Sequence, residues 1–132
     1  MPLGSILVVD DDEDVRDLLR DLLEAADYKV TMAEDGGHAS KVLAKETFTL
    51  VLTDLLMPDK DGIQLVGEVR KKYPATPIIV MSGGGRLPNV EYLKMAKSFG
   101  ANAVLEKPFK NDRLLQTIAS VLAAKPTTEK KK

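Results

Sequence analysis

The chain has no cysteine, which excludes disulfides, thiol nucleophiles and thiolate metal sites. It has no excess of either charge. Its 19 Lys and Arg face 20 Asp and Glu, and a formal net charge of −1 gives no electrostatic reason to bind nucleic acid or an anionic membrane. No apolar run approaches the roughly 18 residues needed to span a bilayer. The N-terminus lacks a signal-peptide pattern, so the cytoplasm is the expected location. There is no internal repeat and no G-x-x-x-x-G-K-[ST] loop, which leaves Gly83-Gly84-Gly85 a weak phosphate-cradle candidate. What remains is ordinary for a soluble protein: 132 residues, 44% hydrophobic and 30% charged, enough for one domain with one core.

Short apolar runs organise the chain. Ile6-Leu7-Val8-Val9, Leu50-Val51-Leu52-Thr53, Ile78-Ile79-Val80-Met81 and Ala103-Val104-Leu105 are too short for helices. Each is bounded by acids, Pro or Gly, as buried strands are. Residues 29–33 alternate and read as a more exposed strand. Between the strands, helical faces recur. Val15, Leu18, Leu19, Leu22, Leu23 and Ala26 form the first, with Asp12 as its expected N-cap. A short second helix is expected to start with Ala39, Val42 and Leu43, after a break at Asp35-Gly36-Gly37. Ile63, Leu65, Val66 and Val69 mark a third that stops at Tyr73-Pro74, and a weaker one carries Val90, Leu93, Ala96 and Phe99 before Gly100. Leu114, Leu115, Ile118, Val121 and Leu122 form the last. Strict β-α alternation predicts a doubly wound α/β domain, a parallel sheet with helices on both faces. Residues 1–4 read as an N-terminal extension or expression remnant, residues 5–124 as the domain and residues 125–132 as a basic, disordered tail.

Ligands meet such a sheet at the carboxyl ends of its strands. Those ends carry Asp10 and Asp11, Asp54, Ser82 and Lys107. Taken singly, each has a plainer reading: a helix cap, a turn cap, a loop serine, a surface lysine. His38 is a lone helix residue with no assigned role. Together the four ends make a chemical set. Carboxylates about 4 Å apart repel by roughly 4 kcal/mol at an effective dielectric near 20, so a cation between them is expected. Hard oxygen ligands without His or Cys favour Mg²⁺, with Mn²⁺ also possible. With a lysine and a hydroxyl as donors, Asp54 is placed to be a nucleophile toward phosphorus.

These motifs resemble a known family. Ile6-Leu7-Val8-Val9-Asp10-Asp11-Asp12, Asp54 with Met57-Pro58 and Asp61-Gly62, Met81-Ser82-Gly83, and Lys107-Pro108-Phe109 are together similar to the receiver domain of two-component response regulators, in the family's order and over nearly the whole chain. The resemblance implies a flavodoxin-like, three-layer fold with strand order 2-1-3-4-5 and five helices. It implies Asp54 as phospho-acceptor, and Asp10, Asp11, Asp54 and the Leu56 backbone carbonyl around Mg²⁺. Ser82 matches the switch hydroxyl, Lys107 the phosphate-binding lysine, and the Lys107-Pro108 peptide is implied to be cis. The chain departs from the family at Val104, where a switch aromatic is usual, so a flipping ring cannot report phosphorylation here.

The expected function follows from this resemblance. The chain would accept a phosphoryl group on Asp54 from a sensor histidine kinase or phosphotransfer protein. It would act without enzymatic turnover beyond its own phosphorylation and dephosphorylation. No room is expected after Ala124 for an output domain. Output would run through protein contacts on the weak helix, strand 5 and last helix, about residues 89–124, in a monomer or weak homodimer. Rivals are a receiver excised from a hybrid kinase or transcription factor, and a receiver acting by binding alone. A metal-dependent phosphatase lacks its second acid, because Leu56 stands there. A flavin domain would put phosphate against five acids at residues 10–14.

Overall fold

The computed structural model describes residues 3–54, 62–82, 94, 97, 98, 100–107 and 109–129. Five strands, β1 (Gly4–Val9), β2 (Tyr28–Ala33), β3 (Leu50–Asp54), β4 (Ile78–Ser82) and β5 (Ala103–Glu106), form one sheet in the order β2-β1-β3-β4-β5. All four pairings are parallel. The helices among the described residues are α1 (Glu13–Ala25), α2 (Gly36–Lys45), α3 (Gly62–Lys72) and α4 (Asn111–Glu129). That is four helices rather than the five expected. The weak helix over residues 90–99 falls mostly outside the described residues, where only Lys94, Lys97 and Ser98 are described, as helical.

The apolar runs are strands because burial on both faces removes any need for polar alternation. Successive side chains point to opposite faces, and the core divides accordingly. Leu7, Val9, Val51, Ile78 and Val80 pack with Ala39 and Leu43 of α2 and Leu65, Val66 and Val69 of α3. Ile6, Val8, Leu50, Leu52, Ile79 and Met81 pack with Leu19 and Leu23 of α1 and Leu114 and Ile118 of α4. Helices therefore cover both sides of the sheet.

Three element ends differ from expectation. The glycines at 36 and 37 do not break the chain but open α2, because the Asp35 side chain accepts from the His38 amide at 2.8 Å and supplies the cap. β1 begins at Gly4, inside the segment read as an extension, and the Leu3 amide donates to the Asp27 carbonyl at 2.7 Å. α4 runs to Glu129, beyond Ala124 and into the segment read as a tail. α1 behaves as predicted. Asp12 caps it, its Oδ1 accepting from the Asp14 amide at 2.9 Å, and it stops where Asp27 turns left-handed at a φ of 74°.

At the amino end of the sheet, Arg70 ties three segments together. Its guanidinium donates to the carbonyls of Gly100, Pro74 and Thr76 and to Asn102 Oδ1, at 2.7 to 3.2 Å. Asn102 Oδ1 also accepts from the Ile78 amide at 2.9 Å, so the cluster sets the start of β4. Gly100 has a φ of +121°, and a Cβ there would stand 2.8 Å from Arg70 Cγ. Replacing Arg70 with methionine should remove this donor from the three carbonyls and cost about 2 kcal/mol, read as a lower urea midpoint at unchanged slope.

Candidate functional site

The sheet register brings the predicted residues to one edge. Val9 pairs with Thr53, so Asp10, the next residue, stands level with Asp54. Asp54 pairs with Met81, and Ser82 with Glu106, one residue before Lys107. By the two-residue period Asp10 continues Ile6 and Val8, Asp54 continues Leu50 and Leu52, and Lys107 continues Leu105. These three therefore emerge on the sheet face that α1 and α4 cover.

The carboxylates of Asp10, Asp11 and Asp54 lie within 4.8 Å of one another. Asp10 is 1% exposed and Asp54 7%, while Asp11 is exposed on the turn that follows β1. Lys107 Nζ enters from the far side, 3.1 Å from Asp10 Oδ2 and 3.5 Å from Asp54 Oδ1. Burial alone would push this ammonium down, but the Asp54 and Asp10 carboxylates outweigh it and hold it above the ordinary lysine value of 10.5. The paired, charged form is therefore the neutral-pH state.

Asp10 is fixed on all sides. Its amide donates to the Ala33 carbonyl at 3.2 Å, and its Oδ1 accepts from the Asp12 amide at 2.9 Å. Its carbonyl accepts from Arg16 Nη1 at 2.7 Å. No sequence signal marked Arg16, one of several charges on the solvent side of α1, because the reach of a long side chain leaves no periodicity. Of the other expected members, Ser82 is the last residue of β4, and the carbonyl assigned to Leu56 lies outside the described residues, as do Gly83-Gly84-Gly85 and Pro108, where a cis bond is expected. Val104 packs against the α2–α3 side of the core as a half-buried β5 residue, opposite Val80.

A parallel sheet of this order, with three acids and a lysine over its central strand ends, is a flavodoxin-like domain built to hold positive charge and meet an anion. Its affiliation is specific: the response regulator receiver domain family model matches residues 6–119, and the chain belongs to that family. The transcriptional regulatory protein FixJ of Bradyrhizobium diazoefficiens is 38% identical over 120 residues, covering 90% of this chain and 57% of FixJ. Among solved structures, NtrX of Brucella abortus matches with a TM-score of 0.89 at 32% identity, over 98% of this chain and 29% of that one. A CheY-like receiver domain protein from Methanospirillum hungatei gives 0.88 at 29% identity, over 96% of this chain and 98% of that one. The chain spans between 24% and 57% of the curated relatives that it matches.

The chain is thus a receiver domain of two-component response regulators. Receiver domains of this kind are generally non-enzymatic signalling domains that work with histidine kinases and output domains, and they typically bind Mg²⁺. The residues present fit that ion. Asp10 and Asp54 meet the Lys107 ammonium, and the exposed Asp11 carboxylate joins them within 4.8 Å, which gathers oxygen ligands of the type Mg²⁺ prefers. No helix of the described residues is long and apolar enough to cross a membrane.

Proposed function

We propose that Asp54 accepts a phosphoryl group from a sensor histidine kinase or phosphotransfer protein and that the modified domain signals by changing its protein contacts. The supporting observation is the convergence of Asp10, Asp11 and Asp54 within 4.8 Å, with Lys107 on two of them. An Asp54 carboxylate oxygen attacks phosphorus as the phosphohistidine P–N bond breaks. The imidazole nitrogen keeps that bonding pair and takes a proton, and the product is a mixed anhydride of carboxylate and phosphate. Lys107 then shifts its charge toward the new phosphoryl oxygens, and the Ser82 hydroxyl donates to them. Asp10, Asp11, Asp54 and the Leu56 carbonyl would hold Mg²⁺, or Mn²⁺ in its place. Bound there, the ion would supply positive charge opposite the phosphoryl group.

The test is intact mass after incubation with acetyl phosphate. The parent should gain one phosphoryl group when Mg²⁺ is present and none after chelation, whereas a chain that stays unmodified in both conditions would favour a receiver acting by binding alone. Turnover of phosphate esters would argue for the phosphatase instead.

The lifetime of the anhydride should be long. The side chains two after Asp54 and two after Ser82 are Leu56 and Gly84, and neither can orient an attacking water by hydrogen bonding. Hydrolysis in the parent should be several-fold slower than in Leu56→Asn, followed as decay of the mass adduct after acetyl phosphate is removed. Equal or faster decay in the parent would reject this role for Leu56.

The wider reading is a cytoplasmic receiver over residues 5–124, monomeric or weakly dimeric, that binds no nucleic acid and no membrane. Its output partner would dock on the weak helix, strand 5 and last helix of residues 89–124. Lys94, Lys97, Glu106 and Arg113 are exposed there and would tune partner choice. A fifth helix over residues 90–99 would complete the three layers. A second reading, a receiver belonging to a longer regulator, is favoured by the part of FixJ and NtrX that the chain spans.

A further inference from the structure

β1 ends at Val9, and Asp10 is 1% exposed, so the Asp10 carbonyl lies beyond the ladder and away from water. Such a group needs a donor from the protein itself. Arg16 provides it, reaching back from the start of α1 to place Nη1 2.7 Å from that oxygen. The choice of acceptor is informative. α1 offers many acids, and Arg20, one turn on, pairs with them, 3.7 Å from Asp17 and 3.4 Å from Asp21. Arg16 instead commits its charge to a neutral carbonyl. Meanwhile the Asp12 amide donates to Asp10 Oδ1 at 2.9 Å, and the Arg16 amide donates to the Asp12 carbonyl at 3.0 Å. The turn over residues 10–12 is thereby closed from the strand side and from the helix side. Asp11 sits on that turn, so its distance from the buried pair depends on the turn's backbone.

We propose that Arg16 is a positioning residue, clasping the β1–α1 turn so that Asp11 meets Asp10 and Asp54 at the spacing a divalent cation needs. The inference rests on the Mg²⁺ reading of the site and adds to it a residue outside the ligand set. Arg16 touches neither the cation nor the phosphoryl group. It acts through the Asp10 backbone.

Two measurements on the unphosphorylated full chain test this. In the metal-free protein, hydrogen exchange of the Asp12 amide should quicken in Arg16→Met, because the turn that holds it to Asp10 has lost its clasp. Mg²⁺ titration followed by amide shifts should then give about tenfold weaker binding in Arg16→Met, the scale of loss expected when a partner of a metal ligand is removed. Arg16→Lys, which keeps one donor and the charge, should recover most of that affinity, and Arg16→Gln should fall between if the methionine variant folds poorly. Unchanged Asp12 exchange, or equal Mg²⁺ affinity in parent and Arg16→Met, overturns the inference. So does a loss that Arg16→Lys fails to restore, since that marks general loosening. A parent that binds no Mg²⁺ while Asp12 exchange still quickens in the variant would instead overturn the metal reading and the purpose given to the clasp.

Discussion

Replacing Lys107 with methionine should destabilise the metal-free chain by about 3 kcal/mol, the low end for stranding a buried charge by removing its partner. The ammonium lies 3.1 Å from Asp10 and 3.5 Å from Asp54, and without it two buried carboxylates face each other with Asp11 close by. Two further measurements separate this cause from lost packing. Added Mg²⁺ should stabilise Lys107→Met more than it stabilises the parent, because the ion takes over the neutralisation. The pH dependence should also differ in a definite direction. Lys107 is raised above 10.5 in the folded chain, so its stabilisation is complete below that value and is lost as pH climbs through the higher folded pKa. Denaturant midpoints of the parent should therefore fall at strongly alkaline pH relative to those of Lys107→Met. Parallel alkaline profiles and equal Mg²⁺ responses would mean that Lys107 is only packed there.

Asp54→Asn should do the opposite to stability while abolishing phosphorylation. Carboxylates within 4.8 Å repel by at least roughly 3.5 kcal/mol per pair at an effective dielectric near 20. Asp54 takes part in two such pairs, and its attraction to Lys107 at 3.5 Å is worth roughly 5 kcal/mol on the same scale. Counted in full, the two repulsions exceed that attraction by about 2 kcal/mol; the exposure of Asp11 narrows the margin, and the desolvation of a carboxylate only 7% exposed widens it again. The metal-free Asn variant should therefore melt above the parent, and the gap should close as Mg²⁺ is added to the parent. A variant less stable than the parent without metal would show that Lys107 already balances the site. Destabilised carboxylates at a functional edge are the usual cost of activity.

Much of this site was legible because strand ends are. A wholly apolar run ending in an acid, repeated along the chain, fixes both the sheet and the row of side chains at its carboxyl edge. Lys107 and Asp10, 97 positions apart, fall at one edge of the sheet on sequence grounds alone, although their direct pairing does not follow. Other features had no such sign. Gly36-Gly37 reads as a break by propensity, and only the Asp35 cap, a contact of geometry, turns it into the start of α2. Arg16 and Arg70 are single charges on helices, and nothing in their spacing tells that one grips a strand-end carbonyl and the other gathers four acceptors. Long polar side chains act at a reach that hydrophobic periodicity does not encode. Val104 is the converse: the sequence marked it as the missing aromatic, and it lies half-buried against the core in β5.

The account stands on Asp54 as the residue that carries the phosphoryl group. Borohydride reduces an acyl phosphate to an alcohol, so a chain treated with acetyl phosphate and Mg²⁺ and then reduced would hold homoserine in place of the modified aspartate. Peptide mass mapping should find homoserine at position 54 and at no other acid. Homoserine at position 10 or 11, or at an acid remote from the sheet edge, would contradict the assignment made here.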